Sequence, residues 1–190
     1  MPLSQPDERK LTHTRVVTCH GYERADKLWD IEGRIVDTKP YTFPNKDRGG
    51  QIKADEPLHD MSIRLTIDNE LRVRDAEAVI DDSPYHYCKC VTPIIKQLIG
   101  MQIAPGWTHK SKAAMGANRG CTHLTELLGP IATTAIQTIF SKKQERASNS
   151  ENIHSADKHR KLSPSFIGSC HSYAPDSPVV KEHWPEQYQA

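Results

Sequence analysis

The feature that most constrains the fold is a run of alternating apolar and polar residues, HDMSIRLTID, at positions 59–68. Four apolar side chains occupy every second position: Met61, Ile63, Leu65 and Ile67. Side chains alternate between the two faces of a β-strand, so this pattern is typical of a strand with one buried face. A turn at Asp68–Glu70 and a second apolar segment that ends at Ile80 follow. Residues 61–80 therefore predict an antiparallel hairpin.

Two further features extend the predicted sheet. The apolar phase of the second strand changes between Arg74 and Ala76, which indicates a β-bulge. Upstream, a segment rich in β-branched residues at 14–18 and the segment 29–41 flank a polar turn candidate at 23–27. These two segments predict a first hairpin.

The pattern becomes helical after Pro84. Residues 122–140 carry apolar side chains at helical spacing, with Thr122 as the expected N-cap. Pro130 lies inside this run. It predicts a break or a kink, because proline lacks the N–H group and its ring clashes with the preceding turn.

Shorter helices are predicted over 93–98, with Thr92 as N-cap, and over 108–115. Strands that precede helices along the chain are typical of the α+β class. We therefore expect an antiparallel meander that is covered on one face by helices.

The 190 residues predict one domain with two appendages. The α+β domain is expected over 11–140. Residues 141–163 are expected to form a polar linker, because only Ile153 and Leu162 among them are large aliphatic residues. Residues 164–190 are expected to form an irregular tail that packs back on the domain.

Composition excludes several classes of protein. Lys and Arg total 25 against 24 for Asp and Glu, so the net charge of +1 provides no field that would attract nucleic acid or an anionic membrane. No apolar run approaches the roughly 18 residues that span a bilayer. Five cysteines, an odd number, do not predict a disulfide framework. We expect a cytoplasmic protein with a small-molecule substrate as its partner, no nucleic acid and no membrane, and a homodimer is left open.

The densest group of reactive residues is GCTHLTEL at 120–127. Cys121, His123 and Glu126 lie within about one and a half helical turns, and the last two are spaced i, i+3 on one helix face. We predict all three as catalytic residues. The alternative is a small buried cysteine, a hydrogen-bonded core histidine and a surface glutamate.

A second candidate pair, His59 and Asp60, lies where the predicted strand begins. A sheet can fix such a residue while the neighbouring loop leaves it accessible, so we predict both residues as catalytic. The alternative is a solvated histidine beside a capping aspartate. Four other carboxylates could join a site, although residues of this kind more often lie on a solvated sheet face: Glu32, Asp37, Asp75 and Glu77.

The cysteines leave a metal site as an alternative. Cys88 and Cys90 form a C-x-C motif, which is a weaker signal than two C-x₂-C pairs. The alternative ligand set for zinc or an iron–sulfur cluster is Cys88, Cys121, Cys170 and His123. Glycine-rich phosphate-binding fingerprints are absent from the sequence, so our first expectation is an enzyme that needs no cofactor.

These residues predict acid/base chemistry of the lyase, dehydratase or isomerase type. Such steps need one group that removes a proton and another that returns it, and histidines held by carboxylates supply both. Basic residues at Arg64, Arg72 and Arg74 are expected to anchor a carboxylate or phenolate of the substrate. The alternative functions are a metal or iron–sulfur carrier and an adaptor without chemistry.

Five motifs resemble, in the same order, an uncharacterised proteobacterial family catalogued as a domain of unknown function. They are WDIEGRIVDTKPY (29–41), PLHDMSIRLTID (57–68), RDAEAVID (74–81), GCTHLTELLGPIATTAIQT (120–138) and SCHSYAPDSPVVKEHWPE (169–186). The resemblance implies a small cytoplasmic protein of bacteria that often degrade aromatic compounds, and hence an aromatic substrate. It implies no assigned catalytic residues.

A looser resemblance concerns topology. The hairpin, a cysteine, a helix that ends in LIGM and a long helix that opens with GCTHL are similar in order to the iron–sulfur scaffold family of the IscU and NifU type. Cys88 and Cys121 fall where two of its ligand cysteines would lie, whereas only His109 follows LIGM in place of the third. The resemblance implies an IscU/NifU-like core with an added N-terminal hairpin.

Overall fold

The computed structural model describes residues 3–148 and 166–190. The chain forms two compact units that divide between Glu145 and Arg146. None of the helices in the described ranges is both long enough and apolar enough to cross a membrane.

A four-stranded antiparallel sheet forms the centre of the first unit. The strands are β1 (Thr14–Glu23), β2 (Trp29–Thr38), β3 (Phe43–Asn45), β4 (Gly50–Ile52), β5 (Pro57–Ile67) and β6 (Val73–Asp82). The main sheet has the order β1-β2-β5-β6, and β3 pairs with β4 in a separate small hairpin. Both hairpins predicted for the main sheet are therefore confirmed.

The predicted bulge is present on β6. Thr66 lies opposite Asp75 and Ile67 lies opposite Val73, so Arg74 is the extra residue. The bulge directs the Arg74 side chain away from the ladder, where its Nε donates a 2.8 Å hydrogen bond to Asp68.

Helical segments follow the sheet. They are a 3₁₀ segment (His86–Leu98), α1 (Trp107–Ala114), a 3₁₀ turn (Ala117–Arg119) and α2 (Thr122–Ser148). The short helix predicted over 93–98 forms the second part of this 3₁₀ segment, but Thr92 is not its N-cap, because the segment begins at His86 after Tyr85. Its buried side chains, Ile95 and Leu98, are three residues apart, as a repeat of three residues per turn requires.

Helix α2 continues through Pro130, so the predicted break does not occur. Two carbonyl groups of the preceding turn accept hydrogen bonds from side chains. Trp107 Nε1 donates to the Leu128 carbonyl at 3.0 Å, and Thr133 Oγ1 donates to the Gly129 carbonyl at 3.3 Å. The carbonyl group that loses its helical N–H partner to the proline is that of Glu126, four residues earlier, so these two bonds do not replace the missing one.

Helix α2 also ends later than predicted, at Ser148 instead of Phe140. The first eight residues of the predicted linker are therefore helical. Low apolar content does not prevent this, because a helix that is already nucleated can add residues without burying them. Residues 149–163 of the predicted linker lie outside the described residues.

Helix α2 packs against one face of the sheet, which we call the helix face. A Cβ atom on Gly33 of β2 would lie 2.6 Å from Cγ1 of Ile131, so the absence of a side chain permits this close approach. A Cβ atom on Gly21 of β1 would likewise lie too close to the side chain of Thr138. The buried strand residues of the core share this face, and they include Ile31, Ile35, Met61, Ile63, Leu65, Ala76 and Ile80.

The opposite face of the sheet, which we call the outer face, carries charged side chains in pairs. Arg34 pairs with Asp60, and Arg64 pairs with Glu77 and Glu32. The fold is thus α+β, with a four-stranded antiparallel sheet and helices packed on it.

The second unit contains a 3₁₀ turn (His171–Tyr173) and the short helix α3 (Pro178–His183). Ser177 caps α3 by accepting a 3.1 Å hydrogen bond from the Val180 N–H group. The rings of Tyr173 and Trp184 meet edge to face with centroids 5.8 Å apart. These contacts form a small apolar centre within the unit itself.

Candidate functional site

Three adjacent strands place Arg15, Asp37 and His59 side by side. Arg15 of β1 lies opposite Asp37 of β2, and Asp37 lies opposite His59 of β5. Asp37 follows Ile35 by two residues, so both side chains belong to the helix face. The strand register alone therefore brings a guanidinium, a carboxylate and an imidazole together.

The Asp37 carboxylate is fully buried and fully hydrogen-bonded. Arg15 Nε donates to Oδ1 at 2.7 Å, and Arg15 Nη2 donates to Oδ2 at 2.8 Å. His13 Nε2 lies 3.1 Å from Oδ1, and His59 Nδ1 lies 2.9 Å from Oδ2. A paired fork of this kind is among the strongest ways to hold a buried carboxylate.

These contacts keep Asp37 ionised. Burial alone raises the pKa of the carboxyl group, but the hydrogen bonds from Arg15, His59 and His13 lower it by more. The net effect is a pKa well below the ordinary value. Asp37 is therefore a permanent negative charge at neutral pH and can orient and stabilise its neighbours.

The start of α2 supplies the remaining groups. Cys121 is the residue before the helix, and its carbonyl accepts a 3.0 Å hydrogen bond from the Thr125 N–H group. His123 lies in the first turn, with its ring centroid 3.8 Å from that of His59. Its Nε2 is 3.9 Å from Asp37 Oδ2, and its Nδ1 is 3.9 Å from Cys121 Sγ.

Arg15 links the sheet to α2. Its Nη1 donates a 2.6 Å hydrogen bond to Glu126 Oε2, while the rest of the guanidinium holds Asp37. Both neighbouring carboxylates contribute to raising the pKa of Arg15 against the effect of burial, and the hydrogen bond to Asp37 contributes most. We call the whole group the Asp37 cluster: His13, Arg15, Asp37, His59, Cys121, His123 and Glu126.

Both central histidines are held in the neutral form. Burial is the largest effect that lowers the pKa of His59, and together with the nearby Arg15 and His13 it outweighs the opposite effect of Asp37. Burial also lowers the pKa of His123 most, followed by the nearby His59 and Arg15. The side chains of His59 and His123 remain 12% and 24% exposed, so solvent reaches the neutral imidazoles.

Most of the predicted catalytic residues meet in this cluster. His59, His123 and Cys121 are in contact or near contact, and Glu126 joins through Arg15. Asp60 does not join, because it follows His59 directly and so belongs to the outer face. There it accepts hydrogen bonds of 2.7 and 2.5 Å from Arg34.

The three arginines predicted to anchor a substrate lie elsewhere. Arg64 pairs with Glu77 on the outer face, Arg72 donates to the Gly100 carbonyl at 2.9 Å, and Arg74 pairs with Asp68. Each guanidinium is thus engaged by a neighbour on or beside its own hairpin. The arginine at the cluster is Arg15, which the sequence analysis did not select.

The alternative thiolate set is not the one whose ligand atoms converge. In residues 3–148 and 166–190, one group of His, Cys, Asp and Glu side chains has ligand atoms within 4.8 Å of one another, and it consists of Asp37, His59 and His123. Cys121 and Cys88 are half-buried against the core of the first unit, and Cys170 is exposed in the second. The convergent group therefore offers nitrogen and oxygen donors.

Comparisons with known proteins give a family but no characterised relative. No curated protein matches the chain, and no solved structure matches it. The resemblance to the IscU and NifU scaffolds is therefore without support. A family model described as "Protein of unknown function (DUF2889)" matches residues 13–137, a range that includes every member of the Asp37 cluster. Since the match covers well over half of the chain, the protein belongs to the DUF2889 family.

Proposed function

We propose that the protein is an enzyme that transfers protons on a small molecule at the Asp37 cluster, with His59 as the general base. The observation that carries the proposal is the 2.9 Å hydrogen bond between His59 Nδ1 and Asp37 Oδ2. A carboxylate only accepts hydrogen bonds, so Nδ1 carries the proton and Nε2 is the basic nitrogen. Asp37 also stabilises the imidazolium that forms when Nε2 takes a proton.

His123 is the second acid/base group of this proposal. Its ring lies against that of His59 at a centroid distance of 3.8 Å, so one substrate can reach both imidazoles. Two such groups are needed when a proton is removed from one atom and returned to another, as in an elimination or an isomerisation. A lyase, dehydratase or isomerase step is therefore the reaction class that we propose.

Arg15 and Glu126 act as positioning residues in this proposal. Arg15 fixes both oxygens of Asp37 and also binds Glu126, so it sets where α2 begins relative to the sheet. Cys121 forms a wall of the site beside His123, with its Sγ also 3.8 Å from the sulfur of Met61. A wall residue does not exchange protons with the substrate.

The substrate class and the cellular location in this proposal rest on the sequence and not on the geometry of the cluster. An aromatic substrate rests on the sequence resemblance to proteins of aromatic-degrading bacteria. A cytoplasmic location rests on composition. An iron–sulfur carrier is disfavoured as the alternative function, because such a cluster needs thiolate ligands and the convergent group contains none.

The experiment detects proton abstraction directly, whatever product the reaction forms. A panel of hydroxy acids and aromatic acids is incubated with the enzyme in D₂O, and loss of C–H signal is followed by NMR. We expect His59→Gln to lower the exchange rate by about 10²- to 10⁴-fold, as for a lost general base. Asp60→Asn is the matched control, because it changes the neighbouring residue on the outer face. Equal exchange by the wild type and His59→Gln would refute the proposal.

A further inference from the structure

The Asp37 cluster also has the donor set of a metal centre. Two imidazoles and one carboxylate converge there: His59, His123 and Asp37. Two histidines and one carboxylate on one side of an ion are the ligands of many mononuclear iron(II) sites, and imidazole and carboxylate also suit zinc and manganese. We propose that these three side chains bind one divalent first-row transition-metal ion.

The donor atoms of the three side chains lie within 4.8 Å of one another, so they form an ion site once they move closer together. Ligands that each lie about 2.1 Å from a metal are about 3.0 Å apart in octahedral geometry and about 3.4 Å apart in tetrahedral geometry. Asp37 Oδ2 and His59 Nδ1 are 2.9 Å apart, which already matches the octahedral spacing. His123 Nε2 lies 3.9 Å from the same oxygen, so its ring has to approach by less than 1 Å.

The charges around the donors favour a cation. Asp37 and Glu126 are two carboxylates near the imidazoles, and Arg15 is the one guanidinium bound to both of them. The group therefore has a net charge of −1 when its histidines are neutral, and a divalent ion changes it to +1. Arg15 reduces the affinity, so we expect a moderate affinity and not that of a closed structural site.

Residues that are not ligands themselves contact the ligand side chains and fix their orientation. Asp37 Oδ1 is held by Arg15 Nε at 2.7 Å and by His13 Nε2 at 3.1 Å. Oδ2 lies near both imidazoles and also accepts a 2.8 Å hydrogen bond from Arg15 Nη2, so a bound ion shares this oxygen with Arg15. Cys121 Sγ lies 3.9 Å from His123 Nδ1, the ring nitrogen that is not used as a ligand. Such outer contacts orient the first ligands of metal sites.

Three protein ligands leave coordination positions open. His123 is 24% exposed, so water or a substrate can reach an ion between the two rings. This arrangement is typical of a catalytic site, in contrast to the four protein ligands of structural zinc sites. The expected ligand of the open positions is water or an oxygen atom of the substrate.

The metal site does not rest on the proposed function. When His59 Nδ1 binds a metal, its proton moves to Nε2, and the hydrogen bond to Asp37 is replaced by two bonds to the ion. The metal-free and metal-bound clusters are therefore two different states. If proton exchange persists in EDTA, His59 acts as the base in the metal-free state. Metal binding is measured in a separate experiment that does not depend on proton exchange.

The test measures cobalt(II) and zinc binding to protein that has been stripped with a chelator and dialysed. We expect one equivalent of cobalt to bind, with visible absorption bands that zinc abolishes, and zinc to raise the melting temperature. His59→Gln and His123→Gln should each weaken binding by at least about 100-fold, since a direct ligand matters at least as much as an outer contact.

Two matched variants identify the ligand set. His20→Gln, at an exposed histidine of β1, should bind cobalt like the wild type. His13→Gln should retain one equivalent with a smaller loss of affinity, because His13 touches Asp37 from behind. Absence of saturable binding up to about 1 mM cobalt would overturn the proposal. Binding that survives both His59→Gln and His123→Gln would overturn it as well, and circular dichroism confirms that these variants are folded.

Discussion

The imidazole rings of His59 and His123 lie with their centroids 3.8 Å apart and their planes tilted by 34°. One ring comes from β5 and the other from the first turn of α2, so the contact depends on the packing of helix on sheet. Two imidazolium ions at this distance repel each other strongly. Folding therefore favours the neutral forms, in agreement with the lowered pKa of both side chains.

The first prediction concerns stability against pH. A histidine whose pKa is lowered by folding binds protons more readily in the unfolded chain, where the pKa is about 6.5. The stability associated with His59 and His123 is thus complete above about pH 6.5 and is lost as the pH falls below that value. We expect urea unfolding at pH 8, 6.5 and 5 to show this loss. His123→Gln should make the pH dependence shallower, whereas stability that rises from pH 7 to 5 would contradict the prediction.

The second prediction concerns the buried carboxylate. Asp37→Asn keeps the size of the side chain but removes the charge that Arg15 and His59 share. We expect a loss of about 2–3 kcal/mol in the free energy of unfolding, below the cost for a fully buried pair because Arg15 can partly rehydrate. Asp26→Asn, at an exposed aspartate paired with Arg24, should change it by less than about 0.5 kcal/mol. Equal effects of the two substitutions would show that burial of Asp37 is energetically unimportant.

The two-residue period of a β-strand is sufficient to place His59 and Asp60 on opposite faces of the sheet. His59 precedes Met61 by two residues, so it shares the buried phase of β5, whereas Asp60 belongs to the polar phase. Extending the alternation by one step would have assigned the two residues to opposite faces. The same step identifies Asp37, because it follows Ile35 in the buried phase of β2. A charged residue in the apolar phase of a strand is therefore a signal in the sequence for a buried site residue.

Other parts of the site depend on pairing that a single sequence does not reveal. Arg15 is exposed like most of β1, and its role appears only when β1 pairs with β2 in register. Contact between His123 and His59 likewise requires the position of α2 on the sheet. The hairpins were predictable because their signals are local, whereas helix packing is set by long-range contacts such as that of Gly33 with Ile131.

The third prediction tests that packing contact. Gly33→Ala places a methyl group 2.6 Å from Cγ1 of Ile131, a β-branched side chain with little freedom to move. We expect a loss of about 1–3 kcal/mol in the free energy of unfolding. Ile131→Ala in the Gly33→Ala background removes both Cγ1 and Cδ1 and should recover part of this loss, although it costs about 2–5 kcal/mol alone. Strictly additive effects in this double-mutant cycle would contradict the close contact.

The continuity of α2 through Pro130 has a local cause in the residue before it. Proline clashes with the N–H and Cβ of the preceding residue when that residue is helical. Gly129 has no Cβ, and its position within α2 shows that the clash is tolerated there. A Cβ atom added to Gly129 would meet nothing within 4 Å beyond its neighbours and the helix backbone. Any cost of a side chain at 129 therefore comes from Pro130 itself.

The fourth prediction is that Gly129→Ala has opposite effects on stability with and without Pro130. Gly129→Ala should destabilise the wild type, because the new methyl group meets the proline ring. In the Pro130→Ala background the same change should stabilise the protein by about 0.5–1 kcal/mol, the usual gain for alanine over glycine inside a helix. Pro130→Ala alone should stabilise it on the order of 1–3 kcal/mol, since it restores an N–H group, less the entropy that proline removes from the unfolded chain. Thermal and urea unfolding of the four proteins measure the cycle. A Gly129→Ala effect of the same sign in both backgrounds would show that Gly129 is not the reason why α2 passes through Pro130.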